Sequence, residues 1–310
     1  MQRTNESPLF ESVREWVLRS LPVDRTNANL VAHLEAKDAH DLLVIYHNWM
    51  SRTISAEPRT VHRSSALDSN TLAHQYQVEL CAISTDIETG SPLAKYLSRG
   101  IKVAASLPGT SPSLQRRPDL DLMLNAWGIY HLHLSTSVEA DGFVSRTGPL
   151  LFAAFRPGNA YLIDIMEHGS WTSKKLIEVV VSEFQDSSVF VTLEGVVGLS
   201  CELDEHGRQT LRKGGVNFPV MINGKAVMPT AGMVSTGTTV AATRESDRLL
   251  MAIEGFERAW VDRPHQVRTD VAASGRELPD TPDFAFEIHE TAGAGIAERK
   301  SMIFFPLFRS

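Results

Sequence analysis

The stretch "GPLLFAAFRPGNAYLIDIMEH" limits the possible folds more than any other part of the chain. Two apolar runs, 148–156 and 160–168, are separated only by Pro157-Gly158-Asn159. Proline presets φ and glycine accepts positive φ, so these three residues read as a tight turn. A turn this short joins antiparallel neighbours, whereas a parallel pair needs a crossover of a dozen or more residues. A third strand-like run, "AWGIYHLHLS" (126–135), comes just before. Three strands in quick succession predict an antiparallel meander.

The first of those runs carries His131 and His133. Residues i and i+2 of a strand share a face, so both imidazoles point to one side of the sheet. Helices are predicted around the strands. Residues 8–50 are helical, with Ser7 as N-cap and Pro8 at the first helical position. A short strand is expected over 59–64. A long helix follows it, carrying Leu72, Tyr76, Leu80, Ile83 and Ile87 and ending at Gly90. Residues 107–119 read as a surface loop with Arg116 and Arg117. A helix capped by Thr172 or Ser173 follows the last meander strand. Further on, Asn223-Gly224 between apolar runs predicts a hairpin. A helix over 243–260, an irregular segment over 262–283, and pairing of 283–290 with 300–308 around "TAGAGIAER" complete the reading.

Composition removes several function classes. The 310 residues are 43% hydrophobic with a net charge of −7, so no global basic field for nucleic acid exists. Residues 52–180 hold 12 basic and 12 acidic side chains, the least acidic part of the chain. No run of about 18 apolar residues occurs, so no membrane span is expected. The acidic N-terminal stretch lacks the apolar core of a secretory signal. A cytoplasmic, bacterial-type protein is the resulting expectation. Cys81 and Cys201 form no CxxC and read as two reduced structural thiols.

The order over 59–184 is strand, long helix, short helix, three strands, helix. Together with "RTVHRSSAL", "WGIYHLHL", "RTGPLLFAAF" and "YLIDIMEHGSW", it resembles the RelE/ParE-type toxin family of toxin–antitoxin modules. That resemblance covers about 125 residues. The expected architecture is therefore α+β, with a helical N-terminal cap (1–58), a central antiparallel RelE-like meander packed by helices (59–184), and a C-terminal α+β domain of unknown role (185–310).

The resemblance implies a toxin-like effector acting as a metal-independent endoribonuclease without a cofactor. Its partners would be RNA or the ribosome and a protein antitoxin, with no membrane; the oligomeric state stays open. Cleavage of RNA by its own 2′-hydroxyl needs a base, an acid and cations for the phosphorane charge. By position in the family pattern, His168 is the general acid or base and Arg146 the phosphate contact. His131 and His133 supply the second proton-transfer group. Trp171 stacks on a base, and Lys174, Lys175, Arg116 and Arg117 hold the phosphate backbone. Asp164 is a candidate for orienting an imidazole.

Two other readings stand beside this one. The neutral charge of the middle segment favours a non-catalytic partner-binding or structural module on the same scaffold. Alternatively, His131 and His133 with His168 or Glu139 ligate a metal.

Overall fold

The computed structural model describes residues 7–107, 117–289 and 291–308. The fold is α+β, and its contacts divide it into two compact units. One is Asn48–Ala241. The other joins Met1–His47 to Ala242–Ser310.

The Asn48–Ala241 unit is built on a sheet of β1 (Thr60–Arg63), β2 (Tyr130–His133), β3 (Pro149–Arg156) and β4 (Asn159–Glu167), in the order β1-β4-β3-β2. β2, β3 and β4 form the expected antiparallel meander. β1 lies parallel to β4, with Thr60 opposite Asn159 and Arg63 opposite Leu162. The helices between β1 and β2 supply the crossover that a sheet position of this kind requires.

Both faces of this sheet are buried, which explains the nearly unbroken apolar run of β3. On one face Leu132, Leu151, Ala153, Leu162 and Ile165 pack against Leu80, Ile83 and Ile87 of the helix Gln77–Thr89. On the other, Leu150, Phe152, Ala154 and Ile163 meet Leu176, Ile177 and Val180 of the helix Lys174–Glu183. This second core continues into a small sheet of β5 (Phe190–Thr192), β6 (Val220–Ile222) and β7 (Lys225–Pro229), through Val220, Ile222 and Val227. The β6–β7 hairpin turns at Asn223 (φ 50°) and Gly224 (φ 75°), the paired left-handed positions of a type I′ turn.

Residues 190–229 therefore complete the core of the meander, and the contacts do not divide the chain at 58 and 184. A buried amide pair reinforces the unit. Asn48 Oδ1 accepts from Thr239 N (3.0 Å) and Asn125 Nδ2 (3.2 Å), and Asn125 Nδ2 also donates to Gly237 O (2.8 Å).

The long helix expected before Gly90 is three: Ser65–Asp68, Thr71–Gln75 and Gln77–Thr89. Asn70 ends the first by accepting from Leu72 N (2.9 Å) and capping the second. Cys81 and Cys201 are free and exposed, so they are surface thiols and take no part in the core. Among the described residues, no helix is long and apolar enough to cross a membrane.

In the other unit, Ser7 caps the helix Pro8–Ser20 as expected, accepting from Phe10 N. That helix packs on the sheet of β8 (Phe284–His289), β9 (Gly293–Glu298) and β10 (Ile303–Pro306), ordered β10-β9-β8. Trp16 meets Phe286 edge-on at 5.5 Å, and Ser12 Oγ accepts from Phe286 N at 2.8 Å. Residues 293–298, read as part of a connection, are the central strand of the three. The segment 262–283, read as irregular, contains the helix Pro264–Ala273. Pro264 sits at its first position, where a missing N–H costs nothing.

Gly295 lies where the next strand comes closest. A Cβ there would fall 2.2 Å from Phe304 Cζ and 2.6 Å from Phe305 O. Gly295→Ala is expected to cost about 1–3 kcal/mol in chemical denaturation. Phe304→Ala combined with it should recover only part of the loss, because the carbonyl clash persists.

Candidate functional site

The pairing of β2 with β3 puts His131 opposite Phe152 and His133 opposite Leu150. Both imidazoles thus lie on the face covered by the helix Lys174–Glu183, while Leu132 turns to the other core. β2 is the edge strand, and here the face opens into a cleft of about 340 Å³. His131, His133, Arg146, His168 and Trp171 all line it. The histidines of one strand, the loop before β3 and the loop after β4 thus line one cleft.

Trp171 organises the group. His131 and His168 each pack edge-on against its indole, both with ring centres 4.9 Å away. Phe152 supports the indole from the sheet at 6.0 Å. His131 Nδ1 lies 3.4 Å from Asp121 Oδ2. Asp121 in turn is fixed as the N-cap of the helix Leu122–Trp127, its Oδ1 accepting from Leu124 N at 3.0 Å. At that distance the carboxylate is an ionic neighbour of His131, whose Nδ1 is buried without a hydrogen-bond partner.

His133 is different. It is 7% exposed, its Nδ1, like that of His131, is buried without a hydrogen-bond partner, and among the described residues no carboxylate pairs with it. Burial pushes its pKa down from 6.5 to about 4, and repulsion from the neighbouring His131, Arg146, His168 and Arg99 side chains adds to the effect wherever these carry charge. It is neutral at physiological pH and cannot act there as a proton donor.

Two further residues of the cleft are structural. Arg52 is buried and donates to the carbonyls of Val103 (2.9 Å), Asp119 (2.7 Å) and Gly100, tying the loop of the cleft rim to the helix end. Tyr130 donates to Ser51 O at 2.7 Å, and burial pushes its pKa up to about 12.

The remaining expected contacts lie elsewhere. Lys175 does not face the cleft; its Nζ is 2.6 Å from Asp164 Oδ2. Asp164 is fully buried, its Oδ1 also accepts from Asn70 Nδ2 (2.6 Å), and among the described residues no hydrogen bond or ion pair links it to His168. It sits opposite Phe152, at the register shift where Ile163 is the extra residue of β4. Lys174 lines a separate small depression with Leu203 and Arg208. Arg117 is clamped by both oxygens of Asp119 at 2.9 and 2.6 Å. Arg116 lies outside the described residues.

The metal reading finds no ligand set here. Among the described residues, the group whose ligand atoms approach within 4.8 Å of one another is Asp38, His40 and Asp41; the three cleft histidines do not meet that spacing. Glu139 is engaged by Arg99.

Sequence reading missed Asp121, Gln209, Arg212 and Lys213, all of which line the cleft. Gln209, Arg212 and Lys213 carry a faint signal, an i, i+3, i+4 polar stripe on a short helix. Comparison with known proteins finds no match to a family model, a curated protein or a solved structure.

The depressed pKa of His133 links folding to pH. The unfolded chain takes up this proton near pH 6.5, and the folded chain only near 4. Stability should therefore fall as pH drops from about 6.5 to 4. His133→Gln should flatten that part of the pH–stability curve, measured by denaturation at pH 7, 6 and 5.

Proposed function

We propose that the cleft cleaves single-stranded RNA without a metal, in the manner of a toxin-like effector. The observation that supports this reading is the packing of His131 and His168 on Trp171, with Arg146 lining the same cleft. His131, with the Asp121 carboxylate 3.4 Å away, takes the proton of the 2′-hydroxyl. The 2′-oxygen attacks the adjacent phosphorus, and the bond to the 5′-oxygen breaks. His168 donates the proton that this leaving oxygen needs. The products are a 2′,3′-cyclic phosphate and a 5′-hydroxyl end. Arg146 is exposed at the cleft and offers its fork to the charge that builds on the phosphorane oxygens. His133, held neutral, accepts or donates a hydrogen bond to the substrate without exchanging a proton at neutral pH. Trp171 offers an aromatic surface to a base. RNA and an antitoxin-like protein are the proposed partners.

The net charge of −7 favours the second reading, a partner-binding module that performs no chemistry. The two separate in one assay. A short single-stranded RNA should be cut in the presence of EDTA, leaving a cyclic phosphate, while the matching DNA, which lacks the 2′-hydroxyl, stays intact. His131→Ala and His168→Ala should each lower the rate by about 10²–10⁴-fold. RNA that stays intact with the wild-type chain would leave the binding module as the better account.

A further inference from the structure

The helix Glu205–Lys213 gives the cleft a face that proton transfer does not use. Gln209, Arg212 and Lys213 all line the cleft, and their spacing sets them on one side of the helix. Cations in a last helical turn ordinarily need no explanation beyond the helix dipole, provided they point to water. Arg212 does not. It is 3% exposed, one nitrogen donates to the Trp171 carbonyl, and its guanidinium lies 4.0 Å from the centre of the Trp127 ring. Its Nε and Nη2 are buried with no hydrogen-bond partner. Burial pushes its pKa down to about 9, so it remains charged at neutral pH. Among the described residues, no carboxylate forms an ion pair with it.

The Asp121 carboxylate across the cleft acts on Arg212 only at a distance, without an ion pair, so the buried cation remains a standing cost to the fold, and so do donors left without acceptors. An anion in the cleft relieves the first directly, because a charge behind a low-dielectric wall acts across a few ångströms without contact. Lys213 and Gln209 are only half-buried and can touch such an anion themselves. The cleft lining also includes apolar groups, Leu97, Ile101, Met123 and the Trp171 indole. A ligand that satisfies both kinds of lining has an anionic head on a flat or apolar body.

We propose that Gln209, Arg212 and Lys213 form a phosphate subsite, which takes the phosphate of a nucleotide whose base lies against the apolar lining. Lys213 and Gln209 make the contacts, and Arg212 is a positioning residue acting through its charge. The choice of a nucleotide rests on the RNA reading above, but binding at this subsite needs no turnover.

Adenosine 5′-monophosphate, titrated into the full chain and followed by calorimetry and by the fluorescence of Trp171 and Trp127, tests the subsite. The nucleotide should bind at least about tenfold tighter than adenosine, and more weakly as salt rises. The double variant Gln209→Ala, Lys213→Ala changes only half-buried groups and should keep its helical signal. It should lose about tenfold in nucleotide affinity with adenosine affinity unchanged. Arg212→Met, which removes the charge but keeps a long apolar side chain over Trp127, should weaken the nucleotide in the same sense. No binding of the nucleotide by the wild-type chain, equal affinity for nucleotide and nucleoside, or an unchanged affinity in the double variant would each overturn the proposal. Intact RNA alongside the expected binding pattern overturns the nuclease reading alone. RNA cleavage by a chain whose double variant binds the nucleotide normally overturns the subsite alone.

Discussion

Burial of the β3–β4 pair on both faces is the constraint from which the larger unit follows. A sheet covered on one side only would need alternating polar and apolar residues. β3 has none of that alternation, so two separate layers must be recruited to cover it. One layer comes from the helix before the meander. The other needs both the helix after it and the small sheet of residues 190–229. The cleft exists because this second covering stops short of the edge strand, leaving the imidazole face of β2 partly open.

The same arrangement explains why neighbouring groups behave so differently. His133 lies deeper in the uncovered corner and is stripped of water, while His131 has a carboxylate at hand and an indole beside it. Arg52 and Arg212 both line the cleft, yet Arg52 is saturated by backbone carbonyls and Arg212 is not. Counting cations in such a site therefore says little; what matters is how many of their donors are already taken.

Local signals in the sequence were good guides where the chemistry is local. The Asn223-Gly224 turn, the Ser7 and Pro8 start and the stop at Gly90 were each set by residues within a few positions, and each appears in the structure. The meander and its histidine face were legible for the same reason. Signals failed where a second meaning depended on distant partners. Pro264 reads as a breaker unless it stands at a helix start, and "GAGIAE" reads as a linker because its small residues make sense only beneath Phe304. Lys175 looked like a phosphate contact because nothing nearby revealed the buried carboxylate of Asp164. The boundaries of the two units fall within the helices Ala39–Met50 and Val240–Asp262, with no proline- or glycine-rich linker to mark them.

The pairing of the helix Pro8–Ser20 with β8 spans more than 260 positions of the chain, closed by the bond between Ser12 and Phe286. During synthesis the apolar stripe of that helix emerges more than 260 residues ahead of its strand, and until that strand is made Phe10, Val13 and Val17 lack the sheet that the helix packs on. The Asn48–Ala241 unit has all its strands in hand before then, so it can condense first while the early helices wait, dependent on a chaperone or on transient collapse to stay out of aggregates.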